Sequence, residues 1–432
     1  MKNIWLINHY AIPPKFGGLN RHYYFSKYLS NMGYKVKIFT ASKIHNSKIN
    51  VFNSPSDAFS QHEEKSSHAL KNIKEINFDG VTYTFLKTSN YKNNGLSRIK
   101  NMLEFPYRVL TCCKKFKKPD VIYTSSPSPF AALIAVRMAK KFKIPIILEV
   151  RDLWPESIVA YKGISPKNPI IRFLYLLEKY LYKHANCIIF TMEGGKEYIK
   201  SKELENIVDL SKVYNINNGV DLDEYQKSLE NHFEDFDLED KCTFKVIYAG
   251  SIREVNHLND LLDAAKIIQN KKQVQPKKIK FLIYGDGTEK KALEDRCNSE
   301  KIQNIIFKGH IQRKFIPYAL SKADLNIITV RQTDIMRFGC SLNKLFDYMA
   351  SGKPIVSNLQ VNYDLIQRYN CGITTKTKSA TDLANAIEQV YTLSHDSYLN
   401  MCKNARKAAE DYDYKLLTRK LNEIILSLDK KT

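Results

Sequence analysis

Ser341-Leu-Asn-Lys-Leu-Phe-Asp-Tyr-Met-Ala-Ser-Gly-Lys-Pro-Ile-Val-Ser-Asn358 is the stretch around which the rest of the chain can be read. Leu345, Phe346 and Met349 fall at i, i+1 and i+4, which puts them on one apolar face and predicts a helix through them. Gly352 is the kind of residue that ends a helix, and Pro354 cannot continue one. Pro354-Ile-Val356 then starts a short buried strand. The helix begins after Cys340-Ser-Leu-Asn343, so its unpaired N–H groups and positive end face the loop of Ser341, Leu342 and Asn343. Such an end is a seat for phosphate oxygens. Asp347, one turn further in, is in reach of a vicinal diol such as a ribose. Phosphate at a helix start and a carboxylate on sugar hydroxyls describe a nucleotide-sugar site. An ordinary helix–turn–strand unit with an exposed aspartate is the other reading of the same residues.

Outward from this stretch, strands alternate with amphipathic helices along the chain, the pattern of α/β domains with parallel sheets. The chain has 432 residues, too many for one ordinary core, and two domains of about 200 residues are the natural division. A hydrophobic fraction of 44% and 11% aromatics mark a globular chain. No apolar run is long enough to cross a bilayer, and Met1-Lys-Asn-Ile-Trp-Leu-Ile-Asn8 reads as a strand, not a signal peptide. A cytosolic protein is expected, and the eight cysteines, Cys112-Cys113 adjacent and the others scattered, without a C-x-x-C pair, agree with reduced packing thiols. The net charge of +22 calls for an anionic partner. Nucleic acid is not expected, because no DNA- or RNA-binding pattern accompanies the charge. Anionic lipid headgroups and phosphate-bearing substrates remain.

In the first half, a strand at Asn3–Asn8 and a helix at Arg21–Met32 flank His9-Tyr-Ala-Ile-Pro-Pro-Lys-Phe-Gly-Gly-Leu-Asn20. This is not G-x-G-x-x-G, so dinucleotide binding is not supported. Gly17 and Gly18 allow close backbone approach, either to an anion or simply in a turn. Ile44 to Asn77 is polar and reads as a loop or insertion. Leu96–Lys118 mixes an apolar face with Arg98, Lys100, Arg108, Lys114, Lys115, Lys117 and Lys118. Two readings stand for it: a helix packed on the sheet, or one lying on an anionic membrane, with Pro106 expected to interrupt either. A buried strand at Pro145–Val150 carries Arg151-Asp-Leu-Trp-Pro-Glu-Ser157 to its C-terminal end, where open α/β sheets bind ligands. Asp152 either orients a sugar or pairs with Arg151, and Trp154 is either a stacking platform or packing.

In the second half the alternation restarts at Phe244. Gly250-Ser251-Ile-Arg253 follows the first strand, and Arg253 can fork onto a pyrophosphate as a lysine cannot. Gly285-Asp-Gly287 ends the next strand with little side-chain bulk, compatible with a nucleotide edge. Asp221-Leu-Asp223 has the form of a D-x-D metal motif but lies on a polar linker, where the match reads as chance.

These residues carry a resemblance. Asp347 with Met349-Ala-Ser-Gly-Lys-Pro-Ile-Val356 resembles the C-terminal signature of the retaining glycosyltransferases of family 4, E-x7-E followed by an Ala-x-Gly-x-Pro-Val turn. Asp347 stands at the second Glu, and Gly339 occupies the place of the first. Asn218-Gly-Val-Asp221 is similar to the family's entry to its second domain, and Arg151-Asp-Leu-Trp-Pro-Glu-Ser157 resembles a subgroup that builds bacterial surface polysaccharides, including N-acetylfucosaminyl transferases. Family members often carry His-Asp at that loop; here Arg151 takes the His place. The resemblance implies a GT-B fold, α/β, with two Rossmann-like domains facing a cleft. Residues 1–215, with a returning C-terminal helix at 405–432, would hold the acceptor through Arg151, Asp152, Trp154 and Glu156, and 216–404 the nucleotide sugar.

The implied reaction moves a sugar from a nucleoside diphosphate sugar, UDP-linked by preference, to a hydroxyl of a polysaccharide or lipid-linked acceptor, with retention of configuration. It uses no cofactor and no metal. Arg253, Lys344, the Gly17-Gly18 amides and the helix start near Asn343 would stabilise the leaving diphosphate, Asn256 or Lys344 would replace a missing family lysine, and Asp347 would hold the ribose. The setting expected is O-antigen or capsule synthesis at the inner membrane surface, reached through the basic first domain. A GT-B nucleotide-sugar 2-epimerase and a non-catalytic polyanion-binding protein are the alternatives.

Overall fold

A computed structural model of the chain describes residues 1–17, 20–45, 47–53, 71–92, 95–271 and 277–429. The chain divides into two compact units, Met1–Asn217 with Tyr414–Thr432, and Asn218–Asp413. The sequence-based division placed the boundary at 215/216 and the return at 405.

The first unit is an eight-stranded sheet built from β1 (Asn3–Ile7), β2 (Lys35–Ala41), β3 (Ile73–Phe78), β4 (Val81–Leu86), β5 (Val121–Ser125), β6 (Ile146–Val150), β7 (Cys187–Phe190) and β8 (Val213–Asn215), in the order β3-β4-β2-β1-β5-β6-β7-β8. Every neighbouring pair is parallel except β3–β4. The central strands β5, β6 and β7 are buried along their whole length, as continuous apolar runs covered on both faces should be. The helices are α1 (Arg21–Asn31), α2 (Leu96–Cys112), α3 (Pro129–Phe142), α4 (Glu156–Lys162), α5 (Pro169–His184) and α6 (Gly195–Ser201). α3 packs against both α2 and α5, so these three form one layer, while α1 packs on the returning helix Tyr414–Asp429. The start of α5 shows local chemistry at work: Asn168 Oδ1 accepts from Ile170 N at 2.9 Å and Pro169 opens the first turn.

The second unit is a six-stranded, all-parallel sheet of β9 (Thr243–Ala249), β10 (Lys278–Tyr284), β11 (Ile305–Gly309), β12 (Leu325–Ile328), β13 (Ile355–Ser357) and β14 (Gly372–Thr374), in the order β11-β10-β9-β12-β13-β14. Strand order reverses between β9 and β12, the point at which open α/β sheets bind ligands beyond their C-terminal ends. Its helices are α7 (Leu222–Ser228), α8 (Phe236–Glu239), α9 (Asn259–Asn270), α10 (Lys290–Ser299), α11 (Ile316–Ser321), α12 (Asn343–Ala350), α13 (Leu365–Arg368), α14 (Ala380–Tyr391) and α15 (His395–Asp411). α12 is the helix expected from the apolar spacing: Leu345, Phe346 and Met349 are buried, and Gly352 leaves it with φ +64°. The core beneath the sheet is aliphatic, with Val246, Leu261, Ile283, Ile327 and Ile387 fully covered.

Two sequence-based expectations are corrected. The polar segment 44–77 is not all loop: its end forms β3, which pairs antiparallel with β4. Ile73, Ile76 and Phe78 supply its buried positions. Most of the remainder, residues 54–70, lies outside the described residues. Pro106 does not interrupt α2, which runs through it to Cys112 because Phe105, Pro106 and Val109 are buried against the sheet. That packing outweighs the single lost backbone hydrogen bond. Among the described residues no helix is long and apolar enough to cross a membrane.

Candidate active site

β9 ends at Ala249 and its chain turns at Gly250, beside the first turn of α12. Lys344, the second residue of α12, crosses to this turn. Its Nζ donates to Tyr248 Oη and to Asn256 Oδ1, each at 2.9 Å, and stands 4.4 Å from the centre of the Tyr248 ring. Both partners are fixed in turn. Tyr248 Oη donates to the Ser251 carbonyl at 2.7 Å, and Asn256 Nδ2 donates to the Ser251 carbonyl and Oγ at 2.8 and 3.0 Å. The Asn256 amide therefore turns its oxygen to the lysine. Tyr348, on the same helix, ties α12 to the strand end: its Oη accepts from Ala249 N at 2.8 Å.

Glycine is required here by space. A Cβ on Gly250 would lie 3.2 Å from Tyr248 Oη and 3.3 Å from Lys344 Nζ, so any side chain would crowd the ammonium. Gly285, at φ +155°, packs against the Gly250 carbonyl so closely that a Cβ would come within 1.8 Å of its oxygen. A Cβ on Gly287 would come within 2.0 Å of the Ile252 carbonyl oxygen. The expected small bulk of Gly285 and Gly287 thus serves backbone packing under the β9 turn.

Burial pulls the Lys344 ammonium down to about 7, with only Cys340 drawing it the other way. No carboxylate pairs with it among the described residues; its partners are a phenol and an amide. A desolvated cation without a counter-charge, at the opening turn of a helix, is a place where an anion gains from both the charge and the dipole.

The other residues singled out in the sequence distribute around this centre. Ser341 is held by Asn218, whose N and Nδ2 donate to its Oγ at 2.8 Å and to its carbonyl at 2.7 Å; Leu342 and Asn343 follow as cap and first residue of α12. Asp347 is largely buried, 3.7 Å from Arg313 Nη2. Burial raises its pKa, Arg313 opposes that, and Glu224 adds to it. Arg253 is exposed and lines a neighbouring recess of 330 Å³ with Glu254, His257, Asn259, Glu289 and Arg331; no α12 residue lines that recess. The structure therefore joins Lys344, Asn256, Gly250 and Ser251, and sets Arg253 to one side. Asp221, of the D-x-D form, caps α7 by accepting from Glu224 N at 2.9 Å.

In the first unit Gly17 closes a short 3-10 turn, and Gly18 lies outside the described residues. Asp152 is exposed and makes no ion pair with Arg151 among the described residues. Glu156 accepts from Tyr175 Oη and Lys202 Nζ, and Trp154 is half-buried. A network that sequence reasoning missed lies just upstream, around Glu149 at the end of β6. Arg21 Nε donates to Glu149 Oε1 at 2.5 Å, Tyr123 Oη donates to the same oxygen at 2.6 Å, and Ser125 Oγ donates to Oε2 at 3.0 Å. His22 Nε2 bonds Oε2 at 2.8 Å, while its Nδ1 takes the Asn8 amide at 2.9 Å. Burial lowers the His22 pKa, against the pull of Glu149. Burial alone would raise Glu149; His22 and Arg21 hold it well below the usual carboxylate range. Arg21 also donates to the carbonyls of Ile216 and Asn217, the last residues before the second unit. The signal was present in the sequence: one acid in the otherwise apolar strand Ile146-Ile-Leu-Glu-Val150.

Comparison with known proteins gives the family. The model described as Glycosyltransferase Family 4 matches residues 16–224, and that described as Glycosyl transferases group 1 matches 243–392. An uncharacterized glycosyltransferase of Methanocaldococcus jannaschii is 26% identical over 236 residues, 50% of this chain and 52% of the relative, so the chain spans about half of that protein's length. A processive diacylglycerol alpha-glucosyltransferase of Acholeplasma laidlawii is 23% identical over 304 residues, 67% of this chain and 83% of the relative. Among solved structures, Anabaena HepE in complex with UDP is similar with a TM-score of 0.65 and 14% identity, covering 99% of this chain and 100% of that one. Two parallel-sheet α/β units and two glycosyltransferase family models laid in succession along the sequence lead to one conclusion: the chain belongs to the GT-B glycosyltransferases.

Proposed function

We propose that the protein transfers a sugar from a nucleoside diphosphate sugar, UDP-linked, to a hydroxyl of a lipid-linked or glycan acceptor, with retention of configuration, in the synthesis of a surface glycan such as O-antigen or capsule. The observation that carries the donor half is the Lys344 ammonium, buried without a counter-anion at the start of α12 and beneath Gly250. A diphosphate seated there receives that charge and the positive end of the α12 dipole. Both strengthen as negative charge develops on the leaving group, which is the requirement for catalysis by departure of a diphosphate. The fixed cation does this work without a metal or cofactor. Asp347, one turn along the same helix, takes the ribose hydroxyls, and Arg253, exposed on the neighbouring recess, swings from it to reach the pyrophosphate. The UDP complex of HepE supports the choice of base. Attack from the face the diphosphate leaves needs no enzyme nucleophile, and none is nominated. On the acceptor side, Arg151, Asp152, Trp154 and Glu156 lie on the loop after β6, with exposed Asp152 oriented to a sugar hydroxyl.

The acceptor half is proposed to work at the inner face of an anionic membrane. α2 has a second apolar stripe besides the one it buries: Leu96, Ile99, Leu103, Tyr107 and Leu110 are exposed and recur every three or four residues, next to exposed Lys100, Lys114 and Lys115. α5, in the same layer, exposes Ile170, Phe173 and Leu176 beside Lys167, Arg172 and Lys179. Apolar side chains ringed by lysine and arginine fit lipid with anionic headgroups better than they fit a neutral apolar partner. The diacylglycerol glucosyltransferase among the relatives supports a lipid acceptor.

The donor site is tested by titrating the protein and its Asp347→Ala variant with UDP: weaker binding by the variant is expected, and unchanged affinity removes Asp347 from the site. The stereochemistry is tested by NMR of the product's anomeric proton, where inversion would refute the retaining assignment.

A further inference from the structure

The chain passes from one unit to the other at two peptide bonds, Asn217–Asn218 and Asp413–Tyr414. The first is gripped at both of its polar atoms. Its carbonyl, that of Asn217, accepts from Arg21 Nη1, while Arg21 Nη2 donates to the preceding carbonyl, that of Ile216, at 2.8 Å. Its N–H, that of Asn218, donates to Ser341 Oγ at 2.8 Å, and Asn218 Nδ2 donates to the Ser341 carbonyl at 2.7 Å. The carbonyl and N–H of a peptide lie in one rigid plane. A single stiff plate therefore has its oxygen held by the first residue of α1 and its hydrogen by the residue that leads into α12, three positions before Lys344. The second crossing repeats the arrangement with rings. Tyr414 stacks on Tyr24 of α1, with centres 4.6 Å apart and planes at 22°, and meets Phe25 edge-on at 5.9 Å. Two residues earlier, Tyr412 packs against Phe346 of α12 at 5.1 Å. Val220 N donates to the Tyr412 carbonyl at 3.1 Å, which ties the two crossings together. Each of these contacts lies inside one unit, and the two peptide bonds carry the connection across.

A connection that merely joined two domains would be exposed, flexible backbone with few contacts. Here Ile216, Asn217, Asn218, Tyr412 and Tyr414 are all buried, and both crossings run from α1 to α12. The choice of arginine fits the same purpose. Neutralising Glu149 needs one cation, and that carboxylate is already bonded by Tyr123, Ser125 and His22. The guanidinium does more: its fork reaches Glu149 and two successive carbonyls at once, which the point charge of a lysine cannot do. We infer that Arg21 and Tyr24, in the first unit, are positioning residues for the donor seat of the second. They set the first turn of α12, and with it Lys344, through Asn217, Asn218 and Ser341 on one crossing and through Tyr414, Tyr412 and Phe346 on the other. The role given to that seat rests on the nucleotide reading proposed above; the coupling of α1 to α12 does not.

The test is a double-mutant cycle on the full chain, read by UDP-glucose affinity and by hydrogen exchange of the amides of residues 341–347. Arg21→Lys keeps a cation beside Glu149 and gives up the fork; Ser341→Ala removes the oxygen that receives the Asn218 N–H. Arg21→Lys is expected to weaken UDP-glucose roughly tenfold, the effect of a lost hydrogen bond, and to speed exchange at 341–347 while β5, β6 and β7 keep their protection. In the Ser341→Ala background the same change should cost about twofold or less, because the two residues act through one peptide. Tyr24→Leu, on the other crossing, should also speed exchange at 341–347, and it carries the test alone if circular dichroism shows Arg21→Lys unfolded. Wild-type exchange at 341–347 in every folded variant overturns the proposal, as does an equal cost of Arg21→Lys with and without the Ser341 hydroxyl. If UDP-glucose fails to bind the wild type, the nucleotide reading falls, and faster exchange at 341–347 in Arg21→Lys still upholds the coupling.

Discussion

Replacing Lys344 with methionine keeps the length of the side chain and removes the ammonium that Tyr248 Oη and Asn256 Oδ1 hold in place. A hydrogen bond to a charged group contributes about 1.5–3 kcal/mol. UDP-glucose should therefore bind Lys344→Met about 10- to 150-fold more weakly than wild type. The pKa supplies a second, independent signature. In the free protein the ammonium titrates at about 7, because burial disfavours its charge. A bound diphosphate restores a counter-charge and raises that value, so the complex holds a proton that the free protein has largely lost at pH 8. Affinity should be flat below pH 7 and fall by about tenfold per unit above it, until the raised value in the complex is reached. UDP-glucose is the right probe, since its diphosphate has no group titrating near neutrality. Isothermal titration at pH 8 in two buffers of different ionisation enthalpy should report uptake of close to one proton per site, and none for Lys344→Met. Equal affinity for the two proteins, or no uptake by wild type at pH 8, would refute the assignment of this lysine to the diphosphate.

Glu149→Gln leaves the Arg21 guanidinium buried without its counter-charge, and should destabilise the protein by about 3–5 kcal/mol in urea unfolding. The folded-state pKa of Glu149 is depressed, so its contribution is present above the unfolded value of 4.5 and is lost as pH falls through the folded one; the variant's stability should be less pH-dependent across that acid window. Gly285→Ala puts a Cβ within 1.8 Å of the Gly250 oxygen at a φ of +155°, so the β9 turn must move; UDP affinity should fall even where circular dichroism shows the fold intact. Leu103→Asp on α2 should abolish co-sedimentation with phosphatidylglycerol vesicles, and Phe173→Asp on α5 should weaken it. Undiminished sedimentation of both would remove this face from the membrane.

Much of the fold was legible because its signals are local. The apolar spacing of Leu345, Phe346 and Met349 and the stop at Gly352 define α12 without reference to anything distant, and the apolar runs of β6, interrupted only by Glu149, and of β7 read as buried parallel strands. β3 was not legible: its buried positions alternate with Lys74, Glu75 and Asn77, and only pairing with β4 shows which face is covered. Pro106 misled for a similar reason, since what decides it is the sheet that α2 packs on. In the site, the sequence supplied Lys344 and Asn256 as alternatives for one phosphate contact, and the structure shows them bonded to each other. Arg313 beside Asp347, and Tyr248 under Lys344, come from positions far away in the chain, and no local pattern marks them. Glu149 could have been found by asking why an acid stands in an apolar strand.

The most direct test of the whole reading is the melting temperature of the purified chain against a panel of nucleoside diphosphates, their sugars, heparin and polyphosphate. At a hundredfold excess over Kd a ligand stabilises by about 2.7 kcal/mol, several degrees for a unit of about 200 residues. UDP and a UDP-sugar are expected to raise the melting temperature by that much in wild type and far less in Lys344→Met. A shift produced equally by heparin and polyphosphate, with none from any nucleotide, would make the protein a basic polyanion binder and contradict a donor site on α12.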